Sequence, residues 1–457
     1  MQNEEGKFKP GKIGAGKMLA WQTRTISTGA NLMVIGYLSM YCTDTLMMPI
    51  ALVGALLMAS KVVDAITDSF AGFLVDRTKT KLGQARPYEL CIIGMWICTV
   101  LLFACPPSFS VVAKSVWVVS MYIMVNAVFV TLLNANSTVH MVRAFKRPEQ
   151  YTSLQTYGSI ITMLGVLIFN VIFPMAMGRL ATSPQGWTTL ILIFAVPLAA
   201  LGMLRFIFIK EVNENAEVKA ISGEKVVWRD VLEVLKKNKY IWFIAILILV
   251  YNIITNMGID TYYYQHIVKN MDIFGLVQLG TLFILPVFFA MPALMRKIAS
   301  GRVIMLGLIL SASGFLLNYF SYTNFPMLMI ANILRGIGNV PINMLLPLLI
   351  IDNAEYNEFN GNRRLEGTMS ALTGFTAKVG SSLGVFMVGV FMSASGYNGE
   401  AAQVGDSAIL MIRLLFSLIP VAFYIVLAFV MFFYNLDKKM PDIRKRNSEM
   451  RAEASAT

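Results

Sequence analysis

The chain has 457 residues, of which 56% are hydrophobic and only 14% charged, and its mean hydropathy is +0.64. A soluble domain needs a charged surface that this composition does not supply, so lipid is the expected solvent. The net charge of +12 does not point to nucleic acid, because the basic residues are neither gathered into one domain nor interleaved with exposed aromatics.

A helix rises about 1.5 Å per residue, so about 20 apolar residues cross a hydrocarbon core about 30 Å thick. By that measure the chain has about twelve spans, at 27–48, 50–73, 86–106, 113–136, 156–177, 187–209, 241–263, 273–295, 303–322, 326–350, 369–394 and 408–434. The expected fold is an all-α membrane protein in two six-helix halves. The halves cover 1–209 and 241–434, with a cytoplasmic linker over 210–240 and a cytoplasmic tail over 435–457. That plan is the major facilitator fold, whose substrate sits near the bilayer midplane between the halves. The opening residues show no short apolar run followed by a small-residue cleavage site, so the first span is expected to stay in the fold.

Span 2 holds the most informative charges. Lys61, Asp64 and Asp68 lie inside it, and an i, i+4 spacing puts the two carboxylates on one face about one turn apart. Carboxylates that close repel, which raises the affinity of the pair for a small cation or a shared proton. Na⁺ would take both carboxylates, the Thr67 hydroxyl and amide or carbonyl oxygens of a facing helix. The plainer alternative has Lys61 neutralising Asp64 while Asp68 is solvated near the cytoplasm. Cys42, Cys91, Cys98 and Cys105 fall in or at the ends of spans without a metal-ligand pattern and read as buried small hydrophobes.

In the linker, Val227, Trp228, Val231, Leu232 and Leu235 recur at helical spacing, as in an amphipathic helix lying on the inner membrane surface. Span 7 carries Asn252, Asn256 and Asp260 on one face, and span 10 carries Asn332, Asn339 and Asn343 on one side. Such amides either bind sugar hydroxyls or hold helices together. Tyr262, Tyr263 and Tyr264 read as an outer aromatic belt rather than a sugar platform, and Arg335 and Arg413 are intramembrane charges without an evident partner. The tail from Asp437 is charged and reads as mobile, with attraction to anionic lipid as a secondary role.

Basic residues mark alternate loops. Lys7, Lys9, Lys12 and Lys17 precede span 1, Arg77 to Arg86 follow span 2, Arg143 to Arg147 follow span 4, and Arg363 and Arg364 follow span 10. The opposite loops carry little more than Lys114, Arg179 and Lys269, so both termini of the multi-pass chain are expected in the cytoplasm. With only His140 and His266 as histidines, and no HExxH, G-x-S-x-G or paired cysteine ligands, no enzymatic site is visible.

The string from Asp64 to Pro87 contains D-x-x-x-D, then Gly72, Asp76, Arg77 and Thr78, then Gly83 and Arg86. It resembles the glycoside–pentoside–hexuronide:cation symporter family, of the melibiose-permease type. A second motif agrees: Asp352, Glu355, Tyr356, Glu358, Gly361, Arg364, Glu366 and Gly367 lead to Lys378 in span 11. The segments GKIGAGK, YCTDTL and YNIITNMGIDTYYY extend the resemblance over most of the chain.

The resemblance implies a cation site at Asp64 and Asp68 and places Lys378 near sugar and cation. Asn126 stands where the family pattern has a further aspartate, so the site carries one negative charge fewer. Thr28, beside Ser27 and Asn31, stands where an aspartate anchors galactosides, and Gln155 or Tyr157 stands near an expected arginine. With Arg24 and Lys378 present, an anionic sugar derivative such as a hexuronide or a sulfonated sugar suits this pocket better than a galactoside. Asn252 and Asn339 complete the candidate substrate set. Asp76, Arg77, Arg86, Glu355, Glu358 and Arg364 read as a cytoplasmic gate, or as charges that orient the chain and cap helix ends.

The function expected is cation-coupled uptake of a sugar derivative, with co-transported Na⁺ or H⁺ and no other cofactor. A lysolipid or organic-anion transporter or exchanger on the same scaffold, or a sugar receptor that does not transport, is the alternative.

Overall fold

The computed structural model describes residues 13–78, 80–145, 148–211, 238–360, 366–399 and 404–456. The expected linker helix over 227–235 and the gate residue Arg364 lie outside the described residues. The chain divides into two compact units, Met1–Ala220 with Asn398–Ala401 and Ile221–Tyr397 with Ala402–Thr457.

In the first unit, α1 (Ala15–Gly36) continues through a turn into a π-helical segment, Tyr41–Thr45. It is followed by α2 (Ile50–Arg77), a 3₁₀ turn (Arg86–Leu90) and α3 (Cys91–Leu102). Next, α4 (Val111–Ile123), a π segment (Met124–Val130) and α5 (Thr131–Ala144) run on without a break as one rod. The unit is completed by α6 (Pro148–Leu180) and α7 (Pro184–Phe208). Helix α1 begins well before residue 27. Its early polar residues Gln22, Thr23 and Arg24 are buried against protein, so hydropathy alone misses that turn of the helix. The same helix is clasped by polar bonds: Ser27 Oγ donates to Leu198 O at 2.7 Å, and Asn31 Nδ2 donates to Thr99 Oγ1 at 2.7 Å.

In the second unit, α8 (Tyr240–Thr255) is followed by a short helix (Asp260–Tyr263) and a π segment (Tyr264–Val268). Then come α9 (Met271–Gln278), a 3₁₀ stretch (Leu279–Ile284), α10 (Leu285–Met295), α11 (Ser300–Ser321), α12 (Phe325–Phe359) and α13 (Glu366–Ala394). The last elements are α14 (Asp406–Phe416), α15 (Leu418–Phe432) and α16 (Leu436–Ala456). Helix α13 lies close against α8 because Gly380 and Gly384, four residues apart, face the Leu249 and Ile253 carbonyls, where a Cβ would collide.

Ten helical stretches among the described residues are long and apolar enough to cross a membrane. The other two predicted crossings are α1, whose polar start lowers its hydropathy, and α3, which is short and extended by the 3₁₀ turn before it. About twelve crossings therefore stand.

Two expectations are corrected. The tail is the ordered helix α16: Leu436, Met440 and Ile443 are buried at spacings of four and three, an apolar stripe that composition alone hides, and Asn447 continues the buried face by donating to Glu355 O at 2.9 Å. The three tyrosines of span 7 are interior rather than belt residues, with Tyr262, Tyr263 and Tyr264 all buried and Tyr263 stacked on Phe416 at 3.9 Å between ring centroids.

Candidate functional site

Helix α2 presents Asp64 and Asp68 one turn apart toward the rod formed by α4 and α5. Thr131 stands between them: its Oγ1 lies 2.8 Å from Asp68 Oδ1 and 3.2 Å from Asp64 Oδ1. The same hydroxyl lies 3.1 Å from the main-chain oxygen of Asn126. This closeness depends on the π segment, whose i to i+5 register turns the Asn126 carbonyl toward residue 131 instead of residue 130. Two carboxylates, a hydroxyl and a carbonyl thus converge. A hydroxyl carries a single hydrogen, so Thr131 donates to one carboxylate at a time and offers lone pairs to a cation.

Around this group, Thr67 Oγ1 donates to the Asp64 main-chain oxygen at 3.0 Å, so its hydrogen is turned to the backbone. The Asn126 amide donates to Tyr122 O at 3.3 Å. Lys61 lies about one turn before Asp64 on the same helix, as the plainer alternative requires, yet the Asp64 carboxylate still reaches Thr131. Sequence reasoning found both aspartates and missed Thr131.

A second polar centre lies inside the first unit. Glu89 is fully buried (0% exposed), and His140 Nδ1 lies 2.8 Å from its Oε1, to which Asn136 Nδ2 donates at 3.1 Å. Two guanidiniums flank the same carboxylate: Arg24 Nε is 3.6 Å from Oε2, and Arg205 Nε is 3.5 Å from Oε1. Arg205 is also fully buried and lies over the Trp21 ring at 3.3 Å. Arg24 reaches further, donating to Leu133 O at 2.8 Å and to Ser137 Oγ at 3.0 Å. It forms part of the wall of a cavity of about 520 Å³ lined also by Gln22, Asn134, Ser137, Ser159 and Thr162.

The other expected substrate residues divide. Thr28 donates to the Arg24 and Thr25 carbonyls, and Asn31 is spent on Thr99, so both serve α1 packing in this state. Asn252 donates to Ile248 O, while Asn339 Oδ1 accepts from Tyr424 at 2.9 Å and Ser311 at 3.1 Å, tying three helices together. Lys378 is half-buried on α13, where its carbonyl accepts from Ser382. Arg335 does have a partner, Asp260, at 3.4 Å, and Arg413 lies over Tyr322 at 3.9 Å.

The expected gate residues also have local partners. Arg86 Nε donates to Phe206 O at 3.0 Å. Beside it, the Glu211 carboxylate accepts the backbone N–H groups of Gln84, Ala85 and Arg86 at 3.2, 2.7 and 2.8 Å. Gly83 is required there, because its φ is +107° and a side chain would meet that carboxylate. Glu355 accepts from Arg444 at 2.8 Å, and Asp352 accepts from the same guanidinium at 2.7 Å, so the tail helix engages the end of α12. Arg77 is exposed in the last turn of α2, where a cation suits the helix dipole, Glu358 is half-buried on α12, and Asp76 lies on α2.

Residues 27–438 match the family described as MFS/sugar transport protein. The isoprimeverose transporter of Lactiplantibacillus pentosus is 26% identical, over 93% of this chain and 89% of that one. The glucuronide carrier protein homolog of Escherichia coli (strain K12) is 25% identical, over 89% of each. Among solved structures, the D-xylose-proton symporter superposes with a TM-score of 0.65 at 11% identity, over 93% of this chain and 98% of that one.

Proposed function

Because the chain belongs to the MFS/sugar transport family, we propose that it is a secondary active transporter that couples inward movement of Na⁺ or H⁺ to uptake of a sugar derivative. The observation that carries the coupling is the convergence of Asp64 and Asp68 on the Thr131 hydroxyl. Lys61, about one turn before Asp64, offsets at most one of the two negative charges; a cation or proton between the carboxylates relieves the repulsion that remains. Thr131 opens the helix on which Asn134 and Ser137 line the cavity, so cation binding acts on the element that also forms the sugar-facing wall. Transport proceeds by alternating access, and cation and sugar favour each other.

The relatives support a sugar-type cargo, being named for isoprimeverose and for a glucuronide. The cavity supports it too: its wall mixes hydroxyl, amide and guanidinium groups with Trp21, Leu154, Met163 and Val166, a combination that serves both the hydroxyls and the apolar ring face of a sugar. The alternation of basic loops supports a cell inner membrane with both termini in the cytoplasm.

The test is to pulse glycosides and hexuronides onto de-energised cells and record extracellular Na⁺ and pH. One sugar is expected to draw in one cation, and Asp64→Asn or Asp68→Asn is expected to abolish the movement. A well-expressed wild type that moves neither ion with any sugar removes the symport reading in favour of exchange or non-transporting recognition.

A further inference from the structure

Resting on that transport reading, we infer that Glu211 is a positioning residue for the coupled cation. It holds the loop that seats α2 against α5, the two helices between which the cation site forms. Glu211 lies just past the end of α7 at Phe208, with its side chain 4% exposed. Its carboxylate accepts three consecutive backbone N–H groups, those of Gln84, Ala85 and Arg86, and Arg143 in the last turn of α5 places a guanidinium nitrogen 3.6 Å from Oε2. One acid therefore joins the ends of α5 and α7 to the loop that follows α2. Hydrogen bonds to an ionised acceptor are the stronger kind, so this fastening is firm.

The loop touches both helices of the cation site. Gln84 Nε2 donates to Val75 O at 3.0 Å and the Tyr88 hydroxyl to Leu74 O at 3.3 Å, both at the C-terminal end of α2. Ala85 is buried in one apolar cluster with Val75 of α2 and Val139 of α5, and Ala135 of α5 packs against it. About two turns away, Asp64 and Asp68 of α2 meet Thr131, the first residue of α5. The two helices are thus fastened at two levels, by the cation site and by the loop that Glu211 holds. Helix α5 is also tied to α1, through Arg24 to Leu133 O and Ser137 Oγ, so release of Glu211 frees α2 and leaves the cavity wall in place. A cation needs oxygens of both helices at once. Where they are seated for only a fraction of the time, apparent cation affinity falls by that fraction. Linkage makes the effect reciprocal: a bound cation steadies the loop as the loop steadies the site.

The experiment reads both directions in the purified full-length protein. Na⁺ binding is titrated at fixed pH, and H⁺ binding by proton uptake as the pH falls. Glu211→Gln keeps the size and removes the charge; it is expected to weaken Na⁺ binding roughly tenfold, or to lower the protonation midpoint by about one pH unit. Sugar binding without cation is expected to stay within about twofold, and saturating cation to restore the wild-type maximal uptake rate, a recovery that general damage to the fold would not allow. Glu211→Asp, with the charge on a shorter arm, is expected to fall between. In the wild type, hydrogen exchange at the amides of Gln84, Ala85 and Arg86 is expected to slow by about threefold or more when the cation binds, after correction for intrinsic pH dependence where the cation is H⁺. This measurement decides the matter alone if Glu211→Gln does not fold. Cation affinity unchanged in Glu211→Gln, or exchange unchanged in a wild type that binds the cation, overturns the positioning role and leaves the transport reading standing. A parallel loss of cation-free sugar binding also overturns it, by marking general damage. A wild type that binds neither cation removes the coupling reading and this role with it.

Discussion

Thr131 has one hydroxyl hydrogen and two carboxylates in reach, with Asp68 at 2.8 Å and Asp64 at 3.2 Å. Replacing it with valine keeps the shape and deletes both the donor and a neutral cation ligand. A hydrogen bond to a charged group is worth about 1.5–3 kcal/mol. For Na⁺ coupling, Thr131→Val is therefore expected to raise the half-saturating Na⁺ concentration of uptake by roughly 10- to 100-fold, with Thr131→Ser near wild type. An unchanged Na⁺ dependence in the valine variant would sink the assignment. The aspartates were legible in the sequence because an α-helix makes i and i+4 neighbours. Thr131 was not, since its approach to the Asn126 carbonyl comes from a π turn, and the string from Asn126 to Thr131 gives no sign of one. Glu89 was legible in principle, as an ionisable residue inside the predicted span 86–106.

At the scale of elements, hydropathy located the spans but misjudged two segments for opposite reasons. The start of α1 was missed because its polar residues are satisfied inside protein, and the tail was read as mobile because its charges outnumber its apolar residues. What docks α16 is the buried stripe of Leu436, Met440 and Ile443, none more than 4% exposed. The bridge from Arg444 to Asp352 and Glu355 is one-sided: the arginine side chain is 51% exposed, while the two carboxylates are 5% and 17% exposed. Solvent at the arginine screens the pair, whose contribution lies near the about 1 kcal/mol of a partly exposed bridge plus the cost of leaving Asp352 unpaired, whereas emptying a fully buried leucine site costs about 2–5 kcal/mol. Leu436→Ala is accordingly expected to lower the thermal unfolding midpoint of the purified protein much more than Arg444→Ala. The reverse order would mean that charge, not burial, fixes the tail helix to α12.

For the molecule as a whole, coupling has a thermodynamic signature that does not depend on which sugar is carried. If cation and sugar belong to one linked equilibrium, the factor by which saturating cation tightens sugar binding equals the factor by which saturating sugar tightens cation binding. Couplings of this kind amount to about 1–3 kcal/mol, or roughly 5- to 150-fold. The site geometry adds a direction. Asp64 and Asp68 lie on α2, while the cavity lining comes from α1, α5 and α6, so Asp64→Asn is expected to remove the cation's effect on sugar binding and leave the cation-free sugar affinity in place. Measuring sugar binding at zero and saturating cation, and cation binding at zero and saturating sugar, gives both factors from purified protein. Two equal factors above unity that collapse to one in Asp64→Asn are the expected result. Unequal factors would show that the two ligands do not share an equilibrium, and loss of all sugar binding in the variant would place Asp64 in direct contact with the sugar instead.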